Sequence, residues 1–154
     1  MIGQRIGDYR IRSVIGTGGM GTVYEAEQSS PQRRVALKVM QRGHTVDEVH
    51  LRMFHHEAQA MASLVHANIV QIHEVGCIDG IHFIAQEYVE GLNLKQVLDR
   101  HGAMSAPSAV NVMRQVAAAL HKASQQKITH RDIKPENIML AGSGEVKVAD
   151  FGLA

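Results

Sequence analysis

The most informative stretch of this chain is His130-Arg131-Asp132-Ile133-Lys134-Pro135-Glu136-Asn137, which Asp150-Phe151-Gly152 follows. It places two acids, an amide and a lysine in one short segment, and the second motif adds a further acid beside a glycine. Carboxylate and amide oxygens suit hard divalent cations, and a lysine carries positive charge to phosphate groups. A polar turn with incidental acids is the alternative. The other motifs of the chain favour a site that holds a metal ion and a polyphosphate beside a hydroxyl group.

The composition is that of a globular domain and excludes several other classes. Apolar residues make up 45% of the 154 residues and charged residues 20%, and the formal net charge is +1. This balance gives no electrostatic case for binding nucleic acid or an anionic membrane. The single cysteine, Cys77, cannot form an internal disulfide, and no run of about 18 apolar residues is present. We therefore expect a cytosolic protein with no nucleic-acid or membrane partner in this chain.

Hydrophobic patterning divides the chain into a strand-rich half and a helical half. Strands are predicted at residues 9–15, 22–27, 34–40, 69–76 and 81–87. A helix is predicted from about 46 to 64, where Met53, Glu57, Ala60, Met61 and Leu64 recur at helical spacing. Asp79-Gly80 is typical of a hairpin turn between the last two strands.

The second half is predicted to be mainly helical. Helices are expected at 94–101 and 106–126, and Ser105 is the expected N-cap of the second. The second helix has an apolar stripe made of Val112, Val116, Ala119 and Leu120. A short hairpin is predicted from strands at 138–140 and 146–148. Residues 87–93 are the predicted hinge between the two halves.

The glycines Gly16, Gly18 and Gly21 have a spacing that dinucleotide-binding folds also use. In those folds the glycines open a helix whose N-terminus holds pyrophosphate. Here Thr22-Val23-Tyr24 follows, and its β-branched and aromatic residues favour a strand. The loop alone leaves two interpretations open, a flap over phosphates and an ordinary glycine hairpin.

Lys38 and Glu57 are charged residues in apolar surroundings. Lys38 lies in a strand whose other face carries Val35, Leu37 and Val39, and Glu57 lies between Met53 and Met61 on the predicted helix. A buried ammonium or carboxylate needs a counter-charge. Each residue alone is equally consistent with a solvated position, but the two together favour an ion pair.

The two motifs together also suggest the chemistry. An Asp with an ordinary pKa of about 3.9 is ionised at neutral pH, so Asp132 could orient a substrate hydroxyl and accept its proton. Lys134 could place positive charge on a phosphoryl group during transfer. Asn137 and Asp150 offer a neutral and an anionic oxygen to Mg²⁺.

Taken in this order, the motifs resemble those of the protein kinase family. The match includes Val35-Ala36-Leu37-Lys38 and His66-x-Asn68-Ile69-Val70. The ending Lys134-Pro135-Glu136-Asn137 is similar to the serine/threonine branch, and the glycine loop is similar to its bacterial members. The resemblance implies an α+β, protein-kinase-like fold with a five-stranded antiparallel N-lobe sheet and one helix, followed by the first part of a helical C-lobe. The implied N-lobe covers about 9–86, the hinge 87–93 and the start of the C-lobe 94–154.

The resemblance also implies roles for individual residues. Asp132 would be the catalytic base and Lys134 the phosphate contact, while Lys38, steadied by Glu57, would grip the α- and β-phosphates of ATP. Asn137 and Asp150 would hold Mg²⁺. Gln86 would be the gatekeeper, and Met61, Ile72, His130 and Phe151 would stack in one column. The implied ATP-binding residues are Ile15, Gly16, Thr17, Gly18, Gly19, Met20, Gly21, Val23, Ala36, Lys38, Gln86, Glu87, Val89 and Met139.

Family members continue well beyond the Asp-Phe-Gly motif, so we expect this sequence to be a fragment. Three functions remain open from the sequence. The first is an ATP-dependent serine/threonine protein kinase that phosphorylates Ser and Thr hydroxyls of a protein substrate. The second is a regulatory module that binds nucleotide without phosphate transfer, and the third is an inactive truncated product. Because segments beyond Ala154 are missing, the apolar stripe of the 106–126 helix is expected to face water.

Overall fold

The computed structural model describes residues 1–18, 21–40 and 48–151, and the chain divides into two compact units. The first unit combines Met1–Ala62 with Ile72–Tyr88, and the second combines Ser63–Gln71 with Val89–Ala154. The chain therefore enters the second unit briefly, returns to the first for two strands, and then completes the second.

The described residues of the first unit form an antiparallel sheet of six strands in the order β1-β2-β3-β4-β6-β5. The strands are β1 (Arg5–Ile6), β2 (Tyr9–Gly18), β3 (Gly21–Gln28), β4 (Arg33–Met40), β5 (Ile72–Ile78) and β6 (Ile81–Glu87). All five predicted strands are present. The prediction of a five-stranded sheet missed β1, because two residues are too few to show alternation.

The prediction of a strand beginning at residue 69 is wrong at its start, since β5 begins at Ile72. Ile69 instead forms a parallel bridge with Val148, and Val70 donates a backbone hydrogen bond to Val148 at 3.0 Å. The apolar run that begins at residue 69 is thus divided, with residues 69–71 in the second unit and β5 in the first. Hydropathy alone does not show the boundary between them. The predicted turn at Asp79-Gly80 is confirmed, because both residues have positive φ, 52° and 75°.

The core of the first unit lies on one face of the sheet. The predicted inward face of β4 is confirmed, because Val35, Leu37 and Val39 all belong to the main hydrophobic cluster. Phe83 of β6 is fully buried there, and its ring meets the edge of Tyr9 at 5.5 Å. Close packing of β3 on β4 explains Gly21, whose φ is 148° and where a Cβ would lie 2.1 Å from the Val39 carbonyl oxygen.

The helix of the first unit is α1 (Glu48–Ala62), and it packs on β5. The predicted start at residue 46 lies outside the described residues. The predicted apolar face is partly wrong, because Met53 is 56% exposed and Ala60 is also exposed. Among the side chains of this helix that the structure describes, the buried ones are Phe54, Ala58 and Met61. The face is rotated by about one residue, or roughly 100°, because the large ring of Phe54 takes the inward position.

A pair of histidines links α1 to the sheet. His55 Nε2 lies 2.8 Å from His82 Nδ1 of β6, and the two rings meet edge to face at 5.1 Å. Burial, together with the nearby His82, lowers the pKa of His55 below its ordinary value. The contact therefore favours the neutral form of His55.

The described residues of the second unit form a three-stranded sheet and two α-helices. The strands are β7 (Gly91–Asn93), β8 (Ile138–Ala141) and β9 (Val146–Val148), and the helices are α2 (Leu94–His101) and α3 (Ala106–Gln125). Both helices and the hairpin are confirmed within one residue. The strand β7 lies inside the predicted hinge and was not anticipated, because three residues give no pattern.

For helix α3, the predicted N-terminus is correct, but the predicted exposure of its apolar stripe is wrong. Ser105 accepts a hydrogen bond from Ser108 N, so the predicted N-cap is confirmed. The stripe expected to face water is instead largely buried, since Val112, Val116 and Ala119 are each at most 5% exposed and α3 packs on β9. Strand β9 of the hairpin covers the apolar stripe of α3, a contact that the sequence did not predict.

In the part of the chain that the structure describes, no helix has the length and apolar character needed to cross a membrane.

Replacing Phe83 with alanine should remove a fully buried aromatic ring from the core of the first unit. The lost burial and the remaining cavity are expected to lower the free energy of unfolding by about 3–5 kcal/mol. Thermal or urea unfolding followed by circular dichroism measures the loss. Val65, which is 72% exposed, provides the control, because Val65→Ala should change stability by less than about 0.5 kcal/mol. Similar losses in both variants would contradict the assigned core.

Stability should fall as the pH falls below about 6.5, the ordinary pKa of histidine. The lowered pKa of His55 in the fold means that the unfolded chain takes up the proton first, so acid favours unfolding. The loss continues until the pH passes below the lowered value and then levels off. His55→Gln should flatten the dependence of unfolding midpoint on pH between about 5 and 7. The exposed His101 gives the control, His101→Gln, which should leave the profile of the parent protein unchanged; equal profiles for parent and His55→Gln would refute the assignment.

Candidate functional site

In the first unit, the glycine-rich segment joins two strands. Strand β2 continues to Gly18, β3 begins at Gly21, and these two glycines are paired in the antiparallel ladder. The prediction of a strand after the glycines is therefore confirmed, and a dinucleotide-type helix at this point is ruled out. Gly19 and Met20 lie outside the described residues. Ile15 is half exposed at the end of a bulged part of β2, where the register shifts between Val14 and Gly16.

Lys38 lies near the end of β4, paired with Val23 of β3 and Ile84 of β6. It is half-buried on the face opposite Val35, Leu37 and Val39, as expected. Glu57 is half-buried on α1, and its neighbours Phe54, Ala58 and Met61 on that helix are buried. Both side chains thus have restricted contact with water, which is the condition under which opposite charges pair. Their ion pair remains a prediction.

The predicted adenine-contacting residues of the first unit are neighbours in the sheet. Gln86 of β6 pairs with Ala36 of β4, and Glu87 pairs with Val35. Ala36 in turn is flanked by Glu25 of β3. Two further predicted residues, Val89 and Met139, belong to the second unit, where Met139 of β8 pairs with Asn93 of β7.

In the second unit, His130 is the centre of the catalytic-looking segment. It is only 2% exposed, and its Nδ1 accepts a hydrogen bond from the Asp132 backbone N–H at 3.0 Å. Its Nε2 lies 2.7 Å from the carbonyl oxygen of Ala149. Because a carbonyl only accepts, the proton of the neutral ring is on Nε2. The ring also packs against Phe151 at 4.5 Å between centroids, so His130 connects the two motifs.

Asp132 is held on both sides by residues of its own segment. Asn137 Nδ2 donates to the Asp132 backbone oxygen at 2.9 Å and to its Oδ2 at 3.3 Å. Lys134 Nζ lies 3.2 Å from the same Oδ2. The short 3₁₀ turn Pro135–Asn137 and the hydrogen bond from Asn137 N to Lys134 O, at 3.0 Å, bring these side chains together. The result is an oriented, half-exposed carboxylate beside a positive charge.

Asp150 is placed by its neighbour Ala149. The Ala149 N–H donates to the Asn137 carbonyl oxygen at 2.9 Å, while its own carbonyl accepts from His130. Asp150 itself has φ of 57°, and Arg131, which directly follows His130 in the chain, has φ of 72°. Non-glycine residues rarely adopt this left-handed conformation, so the surrounding contacts hold it in place.

The donor set is compatible with magnesium bound through few protein ligands. Within residues 1–18, 21–40 and 48–151, no group of three or more His, Cys, Asp or Glu side chains is arranged to hold a metal ion. The amide nitrogen of Asn137 is engaged with Asp132, so its oxygen points the other way and is the atom that suits a hard cation. Mg²⁺ commonly uses one or two carboxylates together with substrate phosphates, so this set fits it.

Of the predicted stacking column, the structure shows the contact of His130 with Phe151. Met61 and Ile72 belong to the first unit and are both buried there. One residue that organises the second unit was missed by the sequence analysis. Gln115 of α3 bonds to the backbone of β9, but a lone glutamine on a helix gives no signal in the sequence.

Comparisons with known proteins agree with this geometry. The family model for the protein kinase domain matches residues 9–154. The serine/threonine-protein kinase PrkC of Bacillus subtilis is 44% identical over 155 residues, which cover 100% of this chain and 24% of that protein. The serine/threonine-protein kinase PknE of Mycobacterium tuberculosis is 39% identical over 152 residues, which cover 99% of this chain and 27% of PknE. The chain thus spans about a quarter of the length of these curated relatives.

A solved structure gives the same result for the fold. The crystal structure of the Mycobacterium tuberculosis PknI kinase domain matches with a TM-score of 0.88 and 32% sequence identity, covering 100% of this chain and 62% of that one. The predicted kinase-like fold is therefore confirmed. The matched family model, the relatives and the arrangement of the His130–Asn137 segment agree, and the chain belongs to the protein kinase family, in the serine/threonine branch found in bacteria.

Proposed function

We propose that this chain is part of a serine/threonine protein kinase that transfers the γ-phosphoryl group of ATP to Ser or Thr hydroxyls of a protein substrate. The observation that carries the proposal is the arrangement around Asp132, whose carboxylate is oriented by Asn137 and lies 3.2 Å from Lys134 Nζ. Membership of the kinase family supports the same chemistry. The proposed N-lobe covers residues 9–86, the hinge 87–93 and the start of the C-lobe 94–154.

Residues of the first unit are proposed to bind the nucleotide. Ala36, Gln86 and Glu87 adjoin one another in the sheet and suit the adenine ring and its edge. The glycine-rich segment can bring backbone N–H groups close to phosphates, because glycines leave no side chains in the way. Lys38, steadied by Glu57, is the proposed contact for the α- and β-phosphates.

Residues of the second unit are proposed to act on the group that is transferred. Asp132 orients the substrate hydroxyl and accepts its proton late in the reaction, while Lys134 stabilises negative charge on the phosphoryl oxygens. Two other residues of the second unit are proposed to contact the nucleotide instead: Val89 through its backbone at the adenine edge, and Met139 by packing against the adenine ring. Phosphoryl transfer needs little covalent help, so positioning and charge account for most of the rate.

Asn137 and Asp150 are the residues proposed to hold magnesium. When bound, Mg²⁺ neutralises phosphate charge and aligns the phosphates for transfer. The protein's own part is to fix the two oxygens: Asn137 through its amide hydrogen bonds to Asp132, and Asp150 through the backbone bonds of Ala149.

Asp132→Asn should lower kcat by at least about 100-fold and leave nucleotide affinity largely unchanged, because it removes the proton acceptor but not a nucleotide contact. Transfer of labelled phosphate from ATP to a generic Ser/Thr protein measures turnover, and a nucleotide-dependent thermal shift measures binding. Asp99 of α2 is an exposed acid paired with Lys95, so Asp99→Asn is the matched control. Binding without any transfer by the parent protein would instead favour a nucleotide-binding module.

Lys38→Met should lower kcat/KM by about 100-fold or more, because the charge that places the phosphates is lost. The same phosphate-transfer assay, run over a range of ATP concentrations, measures the effect. Lys127→Met, at an exposed lysine just beyond α3, should behave as the parent protein. If Lys38→Met and Asp132→Asn both match the parent in nucleotide affinity and turnover, the assigned roles are incorrect.

A further inference from the structure

The outer edge of β9 is fully hydrogen-bonded at its two buried valines. Val146 N donates to Gln115 Oε1 at 2.9 Å, and Val146 O accepts from Asn68 Nδ2 at 2.8 Å. Val148 N donates to the backbone oxygen of Asn68 at 2.8 Å, and Val148 O accepts from Val70 N at 3.0 Å. An edge strand normally presents such groups to water. Here side chains and a loop take the place of a neighbouring strand.

Gln115 is the residue of this edge that comes from α3. Its Oε1 accepts two hydrogen bonds, from Val146 N and from Asn68 Nδ2, the second at 3.0 Å. Its Nε2 donates to the carbonyl oxygen of Gly144, in the turn before β9, at 3.4 Å. The side chain therefore joins three segments of the second unit: the helix, the 63–71 loop and the hairpin.

The strand that Gln115 holds leads directly to Asp150. Two residues after Val146, the chain reaches Val148, and Ala149 then bonds to Asn137 on one side and to His130 on the other. A displacement of β9 along its own axis would carry Ala149 away from both partners. The separation of Asp150 from Asn137 thus depends on where β9 is anchored.

We propose that Gln115 is a positioning residue for magnesium: by fixing β9 it sets the place of Asp150 relative to Asn137. The inference rests on the proposed function, which assigns Asp150 and Asn137 as the magnesium ligands. Residues that hydrogen-bond directly to metal ligands typically change metal affinity or activity by about 10–100-fold when removed, and Gln115, which acts one step further away through β9, should give an effect at the lower end of that range. The hydrogen-bond partners of Gln115 are Asn68, Val146 and Gly144, so it acts on the two proposed ligands only through β9.

The alternative is that Gln115 only stabilises the second unit. The two roles differ in their dependence on metal. A purely structural residue would weaken ATP binding equally with and without Mg²⁺. A positioning residue would reduce mainly the gain in ATP affinity that Mg²⁺ brings, because that gain depends on Asp150 and Asn137.

The experiment measures the affinity of the protein for ATP by titration calorimetry, once in EDTA and once in Mg²⁺. Gln115→Met keeps the length of the side chain but neither the acceptor nor the donor, and should reduce the Mg²⁺-dependent gain by about 10-fold. Gln115→Glu keeps the acceptor oxygens for Val146 N and Asn68 Nδ2, and should restore most of the gain. Gln125→Ala is the matched control on the same helix, because the Gln125 side chain is exposed and contacts the ring of His121, away from β9.

Amide hydrogen exchange at Val146 gives a second readout that needs no nucleotide. Exchange should be faster in Gln115→Met than in the parent protein and close to parent in Gln115→Glu. Gln115→Ala, with a strong helix former, provides the same comparison if methionine disturbs the packing of α3.

Three results would overturn the inference. Faster exchange at Val146 with an unchanged Mg²⁺-dependent gain would make Gln115 a structural residue only, and the proposed function would stand. An equal loss of ATP affinity in EDTA and in Mg²⁺ leads to the same conclusion. If the parent protein itself gains no ATP affinity from Mg²⁺, the assignment of Asp150 and Asn137 fails, and this inference fails with it.

Discussion

The hydrogen bonds of Ala149 are the constraint on which the candidate site depends. Its N–H reaches the Asn137 carbonyl at 2.9 Å, and its carbonyl receives a hydrogen bond from the buried His130 at 2.7 Å. Each bond joins one of the two sequence motifs to the other across the fold. Hydrogen bonds are stronger in a low-dielectric interior, and a buried polar group that loses its partner there destabilises the fold. The backbone hydrogen bonds of Ala149 therefore help to hold the acid that follows it, Asp150, in place.

The same arrangement explains why two residues tolerate an unusual backbone conformation. Arg131 and Asp150 both have positive φ, and each lies beside a residue whose hydrogen bonds are fixed. Left-handed conformations of non-glycine residues cost of order 1–3 kcal/mol, so the surrounding contacts, among them the hydrogen bonds of His130 and its packing on Phe151, have to offset that strain. The strained conformations occur next to the proposed base and at the proposed metal ligand, where precise placement of an oxygen has the greatest effect on chemistry.

Much of the fold could be predicted because its signals are local. The Ser105 cap marks the start of α3 within the sequence itself, and the Asp79-Gly80 turn fixes the hairpin between β5 and β6. The errors arose where the outcome depends on partners distant in the chain. Alternation cannot reveal that residues 69–71 leave the first unit, and helical spacing cannot decide whether Met53 or Phe54 of α1 faces inward.

The candidate site divides in the same way. The residue types needed for phosphoryl transfer could be recognised from two short motifs, since the chemistry requires acids, an amide and a lysine at close spacing. The residues that hold those groups in place could not, because Gln115 and Asn68 act through backbone atoms of a strand about 30 to 80 positions away. Every residue has nearly the same backbone groups, whatever its side chain. The sequence therefore does not show which residue a side chain such as Gln115 will bind through the backbone. Motifs of this kind therefore indicate the candidate reacting groups, while the precise placement of those groups depends on polar contacts that only the folded chain brings together.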